Sequence, residues 1–433
     1  MRLLYSICIF IFCLLSPLFV SAQLQVSLTQ GVDAPWPIVV QPFSEKDPVS
    51  VGNTTVSKII TNDLRNSGQF SLIKPDVKVA GSAAEWKRRG ANSVLLGEIS
   101  QISRNKYQVS IKLLDLYHKS LNSESGSNII LQQRYTVSKS DLRHLSHIIS
   151  DEVYEKLTGV PGAFATKLAY VLVNRTANGS SRYQLMVADS DGFNPQVLLT
   201  SAMPIMSPTW SDSKNLVYVS FEGHRSTIYW QNIATGKRKI ISGAPGVNGA
   251  PAISPDGKKL ALVLTKTGNP KIYVLDLANR NLRRITGGSS IDTEPSWSPD
   301  GKSLLFTSNR GGSPQIYSYT FKDEKIKRLT FDGNYNARAS YLPHSNSIVM
   351  MHRDGKLFGI AKQNLLSGKV NILTRSGSDE SPSVSPNGSM IVYAKQNGQS
   401  GILSMVSADG RVKLSLPAQA GSVQEPAWSP TLR

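Results

Sequence analysis

The chain has 433 residues, 40% apolar and 18% charged, with a formal net charge of +18. That length exceeds one ordinary core, so two or more domains are expected, with a composition suited to many short strands and turns. So basic a chain suggests nucleic acid when it is intracellular. Here an export signal argues against that partner, and Lys and Arg are dispersed, with only short clusters at 87–89 and 237–239. Dispersed charge fits solvated strand faces, or else an acidic partner or an anionic envelope polymer.

Residues 1–22 read as a secretory signal peptide: Arg2, an apolar run over 3–20, then Val-Ser-Ala at 20–22. The run nears the length of a membrane anchor, and Ser16, Pro17 and Ala22 favour cleavage. Both cysteines, Cys8 and Cys13, lie in this leader, and Phe12 before Cys13 is not the small residue of a lipoprotein signal. The mature chain is therefore expected to carry no thiol, disulfide or cysteine metal site.

Residues 23–34 alternate apolar and polar up to Gly31 and form a strand-like N-terminal arm, able to pair with a sheet edge or stay mobile. Residues 35–160 are expected to be a small α+β domain. A proline-bounded strand over 37–43 precedes a helix over 51–66, with Val56, Ile59, Ile60 and Leu64 on one face and Asn53 or Thr54 as cap. A short helix over 83–89 is followed by strands at 93–99, 107–116 and 129–137. A last helix over 141–157 stops at Gly159. His144 and His147, three apart on it, could share a metal, but no third ligand accompanies them, and a solvated helix face is the preferred reading.

From Leu168 onward everything reads as strand and turn. Pro-Ser-Trp-Ser-Pro-Asp-Gly at 295–301 recurs as Pro-Ala-Ile-Ser-Pro-Asp-Gly at 251–257, Pro-Ser-Val-Ser-Pro-Asn-Gly at 382–388 and Pro-Ala-Trp-Ser-Pro at 426–430. The anchor position is held by Trp210, Ile253, Trp297, Tyr341, Val384 and Trp428, at gaps of 43, 44, 44, 43 and 44 residues. Such a period with four strands per repeat describes propeller blades. Three strands precede the first anchor, and the strand of the last anchor has none after it, so six blades form if both ends of the domain share a blade. The expected architecture is a signal peptide, a small α+β domain, and an all-β six-bladed propeller over 161–433 closed by strands from both ends.

Motifs for catalysis are absent: no Gly-x-Ser-x-Gly elbow, no phosphate-binding glycine loop and no His-Glu-x-x-His. No enzyme activity, cofactor or metal is expected. Asp191, Asp256 and Asp300 sit in turns, where backbone capping explains them. The loops just before each anchor converge on one mouth of the central channel, which gives a scaffold for partner binding.

The chain resembles the TolB family of the Tol–Pal envelope system. The resemblance rests on Asp-Leu-Arg-Asn-Ser-Gly at 63–68, Ser-Asp-Glu-Val-Tyr-Glu-Lys-Leu-Thr-Gly at 150–159, Gly-Ala-Phe at 162–164 and Ala-Tyr-Val at 169–171. Phe221-Glu222, Asn-Gly-Ala-Pro at 248–251, Thr-Glu-Pro at 293–295 and the terminal 426–430 motif extend it over nearly the whole mature sequence. It implies a periplasmic interaction scaffold that binds the lipoprotein Pal at the mouth and TolA through the arm and first domain. Outer-membrane integrity and constriction during division would be its purpose. Contact with further outer-membrane proteins fits the same picture, with the protein peripheral to that membrane through its partners and not binding nucleic acid. The implied Pal-binding mouth comprises Val247, Asn248, Ala250, Thr293, Glu294, Asp379 and Glu380, and the implied TolA-binding arm Gln23, Leu24, Gln25, Val26, Ser27, Leu28 and Val32. Val247 departs from the family, where a histidine is expected, and the region 101–130 matches weakly. From a different class, a secreted propeller that binds glycan or peptidoglycan, or that serves an envelope enzyme, would show aromatic platforms or converging His and carboxylates at the mouth.

Overall fold

The computed structural model describes residues 35–45, 51–75, 82–117, 128–175, 178–398, 400–417 and 420–431, and the backbone of 25–28. The proposed signal peptide lies outside these residues, as do Gln23, Leu24 and Val32.

The first domain is built on a mixed sheet. Strand Trp36–Val40 pairs in parallel with Phe70–Leu72 and Ser93–Ser103. Ser93–Ser103, Lys106–Asp115 and Asn128–Ser138 then continue antiparallel. Helices α1 (Val56–Asn66) and α3 (Leu142–Thr158) pack on one face, where Val56, Ile60, Leu64, Leu145, Ile149 and Val153 meet Ile38, Leu95, Val109 and Ile111. The short helix α2 (Ala83–Arg88) covers the other face through buried Trp86, against Val39, Val94 and Leu116.

Helix α1 starts at Val56, with the first residue of its apolar stripe, and not at the expected residue 51. Val51 and Thr54 bond each other across a turn through Gly52, so Thr55 caps the helix and accepts from the Lys58 N–H at 3.3 Å. Neither Asn53 nor Thr54 is the cap. The edge strand Phe70–Leu72 was not foreseen because three residues carry too little period to register. Gly159 ends α3 with φ 72°, a conformation that a Cβ disfavours.

The remainder is a six-bladed propeller. In five blades the chain runs from an innermost strand outward: Ile205–Asp212 to Arg238–Ser242, Asn248–Ile253 to Leu282–Arg284, Asp292–Trp297 to Ile326–Arg328, Tyr335–Leu342 to Val370–Ile372, and Asp379–Val384 to Val412–Ser415. The remaining blade joins both ends. Lys167–Arg175, Ser181–Asp189 and Gln196–Ser201 take the C-terminal strand Ser422–Trp428 as their innermost member.

Second strands are apolar without alternation because both their faces are buried between neighbouring blades. In Ser303–Ser308, Leu304 and Phe306 join Ala261, Val263 and Trp297 on one side, while Leu305 joins Ile348 and Met350 on the other. Anchor tryptophans tie blades together: Trp210 Nε1 donates to the Ala427 carbonyl and Trp297 Nε1 to the Ala252 carbonyl, both at 3.0 Å. Asp256 and Asp300 accept the Lys258 and Lys302 N–H at 3.1 and 3.0 Å, the local turn capping expected of them. The arm strand Gln25–Leu28 pairs antiparallel with Val412–Ser415, a fifth strand on the outer edge of the last blade.

Candidate functional site

The mouth is shaped by one backbone device repeated six times. Three residues before each anchor stand Ser207, Ala250, Glu294, Arg338, Ser381 and Glu425, all left-handed, with φ between 41° and 55°. At each, the register of the innermost strand shifts by a bulge. A bulge bends the strand and re-aims its side chains, here at the channel entrance. Five of the six are followed by proline, which has no N–H to lose where the ladder is interrupted.

Five of these six residues are joined in one network of ion pairs and hydrogen bonds. Arg338 donates from Nε to Glu294 Oε1 at 2.7 Å, from Nη2 to Glu425 Oε1 at 2.8 Å and from Nη1 to Ser381 Oγ at 2.6 Å. Its own N–H and the Thr307 hydroxyl donate to Glu294 Oε2 at 3.1 and 2.8 Å. The Ser207 N–H donates to Glu425 Oε2. One guanidinium thus links four blades, Glu425 adds the fifth through Ser207, and Ala250 alone of the six stays outside the network. Burial pushes Arg338 toward losing its proton, but Glu425 and Glu294 outweigh it and raise its pKa.

Around this floor the cavity measures about 480 Å³ and is lined by Met206, Val247, Ala250, Ile291, Thr293 and Glu294 among others. Met206, Val247 and Ile291 are 41%, 49% and 47% exposed, an apolar arc over three successive blades. Phe221 is the one aromatic residue among the described lining.

The expected mouth residues separate into three roles. Val247, Ala250 and Thr293 line the cavity. Glu294 lines it too, as a carboxylate already held by Arg338. Glu380 accepts from Gln396 Nε2 at 2.8 Å. Asn248, which borders the cavity, and Asp379 have no exposed surface and staple the loops. Asn248 donates to the Ser226 and Ala244 carbonyls at 3.1 and 2.7 Å and accepts from Ser242 Oγ at 2.7 Å, while Asp379 is bonded by Ser376. Sequence reasoning missed Met206 and Ile291, which carry no motif, and the joining role of Arg338, although its place in the 44-residue period was visible. Of the expected arm residues, Gln25, Val26, Ser27 and Leu28 form the added strand.

His147 departs from the expected solvated face. It is 1% exposed, with Nδ1 2.7 Å from Asp63 Oδ2, while His144 remains on the surface. No helix of the described residues is long and apolar enough to cross a membrane.

Fold and site together define a propeller with an N-terminal domain packed on it and an open mouth, at which the described residues assemble no catalytic groups. The family described as the TolB beta propeller domain matches residues 154–432, and that described as the TolB amino-terminal domain matches 24–121. The "Tol-Pal system protein TolB" of Coxiella burnetii is 54% identical over 418 residues, covering 94% of each chain. Its namesake in Alcanivorax borkumensis is 52% identical over 421 residues, covering 95% of this chain and 94% of that one. The crystal structure of TolB from Acinetobacter baumannii superposes with a TM-score of 0.83 at 39% identity, over 94% of this chain and all of that one. The chain belongs to the TolB family.

Proposed function

We propose that this protein is a periplasmic, non-enzymatic component of the Tol–Pal system that binds Pal at the propeller mouth and TolA through its arm and first domain. Family membership over both domains carries the reading. The mouth supports it: an exposed apolar arc beside a fixed, solvent-reachable carboxylate network suits a folded partner, where apolar anchors supply affinity and polar groups supply register. A glycan would favour aromatic platforms, and among the described lining residues half-buried Phe221 is the one aromatic.

The test is calorimetry of mature protein, residues 23–433, with soluble Pal. Ile291→Glu and Thr293→Arg place charge on the rim and leave Arg338, Glu294 and Glu425 themselves unaltered. Each is expected to weaken binding at least about tenfold, close to the 1.4 kcal/mol of a modest interface anchor. Full affinity in both variants would move the site elsewhere, and no binding by the unaltered protein would remove Pal as its partner.

A further inference from the structure

Between the two domains lies a buried ionic cluster that the mouth does not use. Helix α3 faces the turn after strand Ser181–Asp189. Arg143 Nε donates to Asp189 Oδ2 at 2.8 Å, and its Nη2 pairs with Asp191 at 2.5 Å. Lys167 Nζ lies 3.1 Å from Asp189 Oδ1. One turn along α3, His147 sits between the domains' acids. Its Nδ1 meets Asp63 of α1, and its Nε2 lies 3.9 Å from Asp191 Oδ2, an ion-pair distance beyond a hydrogen bond. That nitrogen is buried and has no hydrogen-bond partner. Ser150 Oγ also donates to Asp63 Oδ2 at 2.7 Å. A further turn along, Asp151 accepts the Phe164 and Ala165 N–H at 2.7 and 3.1 Å, pinning the interdomain linker.

We propose that His147 is a protonated clasp whose positive charge holds the α+β domain on the propeller, making domain docking proton-linked. The charge balance carries it. With His147 charged, three cations (Arg143, His147, Lys167) face four carboxylates: Asp63, Asp151, Asp189 and Asp191. Without that proton two cations remain, and the orphaned Nε2 presents a lone pair toward Asp191. Exposed His144, the other titratable group of this helix turn, makes no such contact and is held below the usual histidine range, chiefly by burial and then by Lys167 and His147.

Burial alone would strip the His147 proton, but the charge and hydrogen bond of Asp63 and the charge of Asp191 overcome it and raise the group to about 9. Burial likewise raises Asp151 to about 6 against its two N–H donors. Asp63 moves upward too, by burial first, with His147 opposing. A histidine raised from 6.5 to about 9 contributes folding stability that is fully present below pH 6.5 and lost as pH climbs through 9; Asp63, within the first domain, supplies the larger part, and Asp191 the part that acts on docking. A metal at this cluster fits less well, because Arg143 already occupies Asp191, and Ser150 with His147 already occupies Asp63.

The consequence reaches the arm. Gly68, just past the α1 end that carries Asp63, has φ 70°, and a Cβ there would lie 2.2 Å from Val412 Cγ2. Val412 is the partner of Leu28 in the arm strand. A shift of α1 on the propeller would therefore alter the packing beside the edge on which the arm lands.

Histidine-selective NMR titration of mature protein tests the clasp, with His147 assigned by its loss in His147→Gln. One imidazole is expected to titrate near pH 9, and to titrate lower in Asp191→Asn, where the interdomain charge is gone while Asp63 still holds Nδ1; an unchanged titration there overturns the proposal. Hydrogen exchange in α1 and residues 187–193, corrected for intrinsic rates, is expected to lose about tenfold protection between pH 6.5 and 9.5. His147→Gln should show low protection at both pH values. A His147 that titrates at or below 6.5 overturns the proposal, as does equal pH dependence in His147→Gln or a stoichiometric metal found by elemental analysis of unaltered protein. If His147→Gln does not fold, the titration in Asp191→Asn decides alone.

Discussion

Arg338 governs the electrostatics of the mouth. Glu294 and Glu425 come from different blades, and each has its charge answered by the same guanidinium. Truncating one partner leaves the other charges unanswered, which costs about 3–5 kcal/mol in a buried pair. Arg338 is 31% exposed along its side chain, so solvent screens part of that loss. Arg338→Met is expected to destabilise the propeller by about 1–3 kcal/mol in urea unfolding, with part of the loss recovered in the double variant that adds Glu294→Gln. Equal stability of Arg338→Met and the unaltered protein would show that the network is too solvated to matter. Glu294 is for the same reason a poor probe of partner binding, since changing it disturbs the floor on which the rim residues stand. The rim itself, Val247 and Ile291, is where a substitution reads contact.

At the scale of the element, the arm and the last blade belong together. Val412–Ser415 is an outer strand whose free edge is covered by Gln25–Leu28. An uncovered edge offers unpaired N–H and C=O groups to any extended chain. A form of the protein that begins at Pro35 is expected to lose amide protection in residues 412–415 and to self-associate more readily, seen by hydrogen exchange and sedimentation. Unchanged exchange at those amides would mean that the added strand does not persist in solution. Helix α3 is the second element with two roles. Leu145, Ile149 and Val153 bury into the first domain, while Arg143, His147 and Asp151 turn toward the propeller and its linker. Its apolar stripe was plain from spacing. Its polar stripe reads as solvent-facing until the second domain is placed against it.

For the whole molecule, closure decides stability. Innermost strands contact one another around the full ring, and the joint is the C-terminal strand Ser422–Trp428 beside Lys167–Arg175. Trp428 is buried there, donating from Nε1 to Thr166 Oγ1 at 2.8 Å, and its N–H reaches Ser383 Oγ in the neighbouring blade at 2.9 Å. Removing residues 425–433 is expected to cost far more than the roughly 3–5 kcal/mol of Trp428→Ala, because it opens a sheet edge and two interblade cores together. Thermal melting should show a lowered, broadened transition with aggregation. A shortened protein that melts like Trp428→Ala would mean that the ring holds without its joint.

The 44-residue period and the turn chemistry of Ser-Pro-Asp-Gly by themselves determined the blade, the number of blades and the way the ring closes. Each is a local or repeating property, and repetition makes a weak local signal readable. The apolar stripes of α1 and α3 determined the first domain's core in the same way, by spacing along one helix. Only the tertiary structure decided what happens between units. It brought Glu294, Arg338 and Glu425 to one point, although they lie 44 and 87 residues apart. It buried His147 between Asp63 and Asp191, withdrew Asn248 and Asp379 into the loops, and set the arm on the last blade. Contacts of that kind depend on how two surfaces are placed against each other, and neither composition nor periodicity along a chain encodes the placement of a partner surface.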